Sequence, residues 1–148
     1  MMQTYVTIGY GFTFPKVTKE KEIEFVKTHI YNFGDKKIES AIEENSEDLI
    51  DLIENYESDL SDTSNGFLNI FSEVFTNETN LRTSPAFDED SNQYKLIFGL
   101  AMPFGFNDRE MALKSEKDLD KIYTEYLEEL GVDLSEIEFE YTQAVQVG

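Results

Sequence analysis

YVTIGYGFTF, residues 5–14, alternates strictly: Val6, Ile8, Tyr10, Phe12 and Phe14 fall on one side, Thr7, Gly9, Gly11 and Thr13 on the other. A period of two with one apolar side is the pattern of a strand buried on one face. The chain therefore opens with a β-strand, and Pro15 ends it. Beyond the proline, Thr18 is placed to cap a helix with Glu20 and Glu22 in its first turns. Its inner stripe runs Ile23, Val26, Ile30 and Phe33, and Gly34 is the stop.

The same reading continues along the chain. Asp35 can cap a segment in which Ile38, Ala41, Ile42, Leu49, Ile50, Ile53, Tyr56 and Leu60 keep helical spacing. One kinked helix or two short ones with a break at Asn45 and Ser46 both fit. Phe67, Leu68, Ile70, Phe71, Val74 and Phe75 form a third helical stripe, the most apolar one. Thr76 to Asn92 is polar and rich in turn formers and reads as a long loop. YKLIFGLAM, residues 94–102, is apolar on both parities, as a strand covered on both faces is, and it is the candidate central strand. SEKD at residues 115–118 has the capping-box pattern for a helix with Leu119, Ile122, Tyr123, Tyr126, Leu127 and Leu130 inward and Gly131 as stop. A last strand is expected over residues 136–145. The expected class is α+β: a small, mainly antiparallel sheet of about three strands (5–14, 94–102, 136–145) covered by about four helices. At 148 residues one domain, 1–148, is expected, with an acidic helical segment, 35–75, inserted between the first and second strands.

Composition narrows the function. The chain has no cysteine, which removes disulfides, thiolate nucleophiles and cysteine-ligated metals and fits a reducing compartment. No basic, apolar leader opens it and no run of about 18 apolar residues follows, so the cytoplasm is the expected location. Formal net charge is -19, from 31 acidic against 12 basic residues. A field of that sign repels nucleic acid and anionic lipid and attracts basic partners. Direct nucleic-acid binding and membrane binding are not expected.

No constellation for chemistry stands out. His29 is the only histidine, and a serine or cysteine triad needs a histidine beside a third group, so His29 reads as structural or exposed. Asp88, Asp90 and Asn92 imitate the first half of a calcium loop, but Gln93 stands where the turn glycine belongs and Gly99 where a bidentate glutamate is needed. That stretch reads as a polar loop. GYG at residues 9–11 lies inside a strand and lacks a following Lys-Ser pair, so it reads as permitting close packing or a bulge and not as a phosphate site. Neither a cofactor, a metal nor a catalytic residue is expected.

What remains is charge. ESAIEENSEDLIDLIENYESDLSD, residues 39–62, carries ten carboxylates and no lysine or arginine: Glu39, Glu43, Glu44, Glu47, Asp48, Asp51, Glu54, Glu57, Asp59 and Asp62. Like charges at i, i+4 cost about 0.2–0.5 kcal/mol a pair on a helix. The helices at either end of the chain mix signs instead, as in KEKE and KSEKDLDK. As one continuous helix the segment would place one charge per about 3.6 Å, close to the about 3.4 Å phosphate spacing of a DNA strand. The expected function is non-enzymatic: these ten residues imitate DNA phosphates and block the cationic groove of a nucleic-acid-binding protein such as a nuclease. Phage-encoded anti-restriction and anti-CRISPR proteins act in this way, although no motif of theirs is matched here residue by residue. The alternatives are an immunity-type protein that neutralises a basic toxin nuclease, and a phage or bacterial accessory protein whose acidic helices serve solubility alone.

Overall fold

The structure is a computed structural model and describes residues 4–32, 35–57, 63–79, 83–98 and 116–147. Its elements run β1 (Thr4–Thr13), α1 (Lys19–His29), α2 (Lys36–Glu43), α3 (Leu49–Glu54), α4 (Gly66–Thr79), β2 (Thr83–Asp88), β3 (Gln93–Phe98), α5 (Glu116–Glu129) and β4 (Glu140–Val147). Short 3₁₀ turns follow α1 at Ile30–Asn32 and precede β4 at Leu134–Glu136. The strands form one antiparallel sheet in the order β2-β3-β1-β4. The α+β class is as the sequence indicates, with four strands in place of three and five helices among the described residues.

Each departure has a local cause. Thr83–Asp88 lies inside the stretch read as a loop, because TSPAFD has little apolar content and a central proline. It is an edge strand, where a proline costs no ladder bond on the open side, and it pairs with β3 from Thr83↔Phe98 to Asp88↔Gln93. The last strand starts at Glu140 and not at residue 136, because Asp133 accepts from the Ser135 N–H and winds Leu134–Glu136 into a 3₁₀ turn. β3 is described to Phe98, so residues 99–102 of the expected central strand lie outside the described residues, as do Phe33, Gly34 and Ser115. β3 and β1 share the two interior positions of the sheet.

One face of the sheet carries the core. Tyr10, Phe12 and Leu96 are buried against Phe25 and Val26 of α1, Phe67, Phe71 and Phe75 of α4, and Leu119, Tyr123 and Leu127 of α5. Phe12 meets Tyr123 and Phe139 edge-on at 5.7 and 5.2 Å, and Phe75 stacks on Tyr123 at 3.9 Å. Such pairs add about 0.5–1.5 kcal/mol each beyond the area they bury. α4 has nine buried residues, more than any other described helix.

The other face closes on itself. Ile97, Ala86 and Ala144 form a small second cluster there, and β1 contributes Gly9 and Gly11. A Cβ on Gly11 would stand 2.2 Å from the Leu96 carbonyl oxygen, so only glycine fits. With only hydrogen atoms at Gly9 and Gly11 in the way, the Lys95 amine crosses from β3 to β4. It donates to Thr142 Oγ1 at 3.0 Å and to the Gln143 carbonyl at 2.9 Å. At one end the edge strands meet: the Glu89 N–H donates to the Val145 carbonyl at 2.8 Å, and the Val145 N–H to Asp88 Oδ1 at 3.0 Å.

Candidate functional site

The acidic segment begins as expected, with Asp35 accepting from the Ile38 N–H at 3.0 Å to cap α2. It does not continue as one helix. Asn45 takes a left-handed conformation, φ 52°. Its N–H donates to the Ile42 carbonyl at 3.2 Å, and that of Ser46 to the Ala41 carbonyl at 2.9 Å. This pair of bonds is the Schellman ending, with asparagine in the place usually held by glycine. Ser46 Oγ then accepts from the Asp48 N–H at 3.1 Å, and the chain restarts as α3. The even charge row of a continuous 24-residue helix therefore does not form, and the match to phosphate spacing goes with it.

Two features dock the acidic unit on the core. Ile38, Ala41, Leu49 and Ile53 point inward and are buried. At the far end of α3, a Cβ on Gly66 would stand 2.1 Å from the Ile53 carbonyl oxygen, so the first residue of α4 admits α3 only because it is glycine. Asn69, fully buried on α4, donates to the Tyr56 and Thr63 carbonyls at 3.1 Å each and accepts from Thr63 Oγ1 at 2.6 Å. Tyr56 donates its hydroxyl to Glu73 Oε2 at 2.5 Å. The carboxylates thus stand on a platform fixed from below.

Glu43, Glu44, Glu47, Asp48, Asp51, Glu54 and Glu57 are exposed, and Glu39 is half-buried. Asp59 and Asp62 lie outside the described residues. At 100° per residue Glu39 and Glu43 share one flank of α2 while Glu44 falls on the other. There Glu44 lines a groove of about 450 Å³ with Lys36, Lys37, Asp48 and Leu52. A neighbouring groove of about 500 Å³ gathers Asp35, Asp48, Asp51 and Glu57 around an apolar floor that includes Ile38 and Leu52. The site is therefore two flanks and two neighbouring grooves, not a line.

Cations also stand nearer than the sequence implied. Lys19 of α1 forms an ion pair with Glu54, and Lys37 lines both grooves. Among the described residues, no lysine or arginine ion pair involves Glu43, Glu44, Glu47, Asp48, Asp51 or Glu57. Sequence reasoning missed Asp35 and Tyr56 as part of the site. The capping position of Asp35 was legible; its convergence with Asp51 across two helices was not. A wider groove of about 1220 Å³ between the end of β1, α1 and residues 130–140 has a mixed rim, with Lys16 and Lys21 beside Glu22 and Glu136. Mixed sign makes it the weaker candidate for a charged ligand. Burial raises the Glu22 carboxyl above its ordinary range there, with Lys19 opposing the shift.

Asp88 and His29 are committed internally. Asp88 of the calcium-like stretch is buried at the start of the β2–β3 turn. It accepts from Ser91 Oγ at 2.6 Å, from the Val145 N–H at 3.0 Å and from the Lys95 amine at 3.2 Å. The first two of these bonds, then Lys95, hold its carboxyl well below the usual range against the opposing effect of burial. DEDSNQ is accordingly a hairpin turn that ties the sheet edges together, with Asn92 at φ 56°. Among the described residues no group of three or more His, Asp or Glu is arranged to hold a metal ion, and no helix is long and apolar enough to cross a membrane. His29 is buried and sits between two carboxylates from other helices. No protein family, no curated protein and no solved structure matches this chain.

Proposed function

We propose that this protein is a non-enzymatic acidic binder that presents α2, α3 and the turn between them to a cationic surface of a nucleic-acid-binding protein, excluding the nucleic acid that surface normally holds. One observation carries the reading. Six exposed carboxylates free of lysine or arginine ion pairs within the described residues, Glu43 to Glu57, stand on short helices docked through buried residues. Their mutual repulsion is a standing cost with no internal return, and a basic partner would convert it into affinity and fast association.

Convergence of Asp35, Asp48, Asp51 and Glu57 on a groove with an apolar floor favours a second reading in the same class. Such a groove suits individual lysine or arginine side chains, whose stems pack on apolar surface while their heads meet carboxylates. An immunity-type protein covering a basic nuclease would use it so, without tracing a phosphate path.

A pull-down from bacterial lysate distinguishes the two. For the nucleic-acid-excluding reading, the captured protein is released by added duplex DNA and by raising salt from about 50 to 200 mM, as phosphate-type contacts are. Retention that survives duplex but not salt supports the immunity-type reading. A variant combining Glu43→Gln, Glu44→Gln, Glu47→Gln and Asp51→Asn should keep its fold, with stability within about 0.5 kcal/mol of the wild type, since only Glu39 and Glu43 form an i, i+4 like-charge pair within one helix. Undiminished capture by that variant would remove the acidic unit from the mechanism.

A further inference from the structure

His29 stands where three helices meet. Its ring Nδ1 is 2.6 Å from Glu78 Oε2 on α4 and its Nε2 is 2.7 Å from Glu129 Oε2 on α5. Tyr126, also on α5, donates its hydroxyl to Glu78 Oε1 at 2.8 Å. A neutral imidazole has one N–H and one lone pair, so it can satisfy only one of two ionised carboxylates; the imidazolium satisfies both. The ring also lies 4.4 Å from the Phe25 ring and 6.1 Å from Tyr126, centroid to centroid, aromatic neighbours that suit a cation. His29 is 8% exposed, so water has little access to the ring.

We propose that His29 is a pH-operated latch: clamped as an imidazolium between Glu78 and Glu129, it ties α1, and through it the acidic α2–α3 unit, to α4 and α5, and rising pH opens it. The 3₁₀ turn Ile30–Asn32 follows the latch directly, and α2 begins at Lys36, so the latch anchors the root of the acidic unit. The proposal stands whether or not that unit binds a nucleic-acid-binding protein, because it concerns the helices beneath.

Among the described residues the charged groups acting on the ring come from both helices packed against it, Glu78 from α4 and Glu129 from α5. Burial alone would lower the pKa of His29; the hydrogen bonds and charges of Glu129 and Glu78 outweigh it, and the net shift is upward. The same two carboxylates, with Glu125, add to burial in pushing the Tyr126 hydroxyl up, so Tyr126 stays protonated as a donor to Glu78. A histidine whose folded pKa exceeds its unfolded value of about 6.5 stabilises fully below that value. Its contribution is lost as pH rises through the folded pKa. The latch is closed in mild acid and opens on the alkaline side.

Because His29 is the only histidine and there is no cysteine, nitrogen-detected NMR reads the latch without ambiguity. At about pH 6 both ring nitrogens should carry protons, and the titration midpoint should lie above about 6.5. In fixed urea the folded-to-unfolded ratio should fall about tenfold for each unit by which that midpoint exceeds about 6.5, with faster amide exchange in α1 and α2. Glu129→Gln should move the midpoint down, and His29→Gln should abolish the pH dependence in that window. A midpoint at or below about 6.5, or a single neutral tautomer at about pH 6, overturns the proposal. So does a His29→Gln protein with the wild-type pH profile. Should His29→Gln not fold, Glu129 is at the rim, with its side chain 42% exposed, and an unmoved midpoint in Glu129→Gln is equally decisive.

Discussion

The carboxylates of α2 and α3 and those of β2, α4 and α5 are the same chemical group used in opposite ways. Asp88, Glu73, Glu78 and Glu129 each meet an internal donor at 2.5–3.2 Å. Glu43, Glu44, Glu47, Asp48, Asp51 and Glu57 are exposed and form no lysine or arginine ion pair within the described residues. In the first set, charge is converted into bonds between elements; in the second it stays as an external field. The difference teaches that net charge alone is a poor guide to function in this chain, because part of it is structural.

Asp88→Ala should show the largest effect. It removes the side-chain acceptor of the Val145 N–H and the carboxylate partner of the half-buried Lys95 amine, which keeps only Thr142 and Gln143, at the point where β2 and β4 meet. Breaking one side of a buried ion pair costs about 3 kcal/mol or more, readable as a lowered urea midpoint. The sign with pH also follows. An acid whose folded pKa lies below its unfolded value of about 3.9 stabilises above that value, and the contribution is lost as pH falls toward the folded one. The variant should therefore lose part of the acid sensitivity that the wild type shows below about pH 4. If Asp88→Ala is as stable as the wild type, the internal set is no different in kind from the exposed one.

Gly66→Ala comes next, at about 2 kcal/mol, within the usual range for forcing atoms into packed space. The new methyl would collide with the Ile53 carbonyl, and backbone cannot rotate away as a side chain can. The damage should be directional: amide exchange should rise in α3 before it rises in β1 or α5. Uniform loss of protection would mean that α3 is not docked as a separate platform.

How much of this was visible in the sequence depends on whether the cause was local. Alternation in residues 5–14 located β1, and Pro15 its end, since both signals are one strand long. Leu119, Tyr123, Leu127 and Leu130 located the buried stripe of α5, and Gly131 at φ 67° is its stop. β2 was hidden because its strand character comes from register with β3 and from α4 lying against Thr83, whose hydroxyl bonds to Ser72 Oγ at 2.7 Å. The ten acidic positions were legible as a set, while their direction was not. A single left-handed Asn45 turned α3 away from the line of α2, and the spacing of Ile42 and Leu49 allows either path. His29 was readable only as structural or exposed, and nothing near it in the chain announced its burial or Glu78 and Glu129.

The smallest effect is the sharpest test of the boundary between the two sets. Lys19 and Glu54 form the one described ion pair that reaches into the acidic unit, and their side chains are 59% and 43% exposed. An exposed pair contributes between about 0 and 1 kcal/mol. Glu54 is also the last residue of α3, where the helix dipole disfavours a negative charge and Lys19 relieves it. Lys19→Met should thus cost no more than about 0.5 kcal/mol of stability, while freeing one more carboxylate for a basic partner. Capture by that partner should strengthen by about twofold at low salt and by less as salt rises, because the gain is a screened charge and not a new contact. Weaker capture would place Lys19 itself in the interface and assign Glu54 to the internal set.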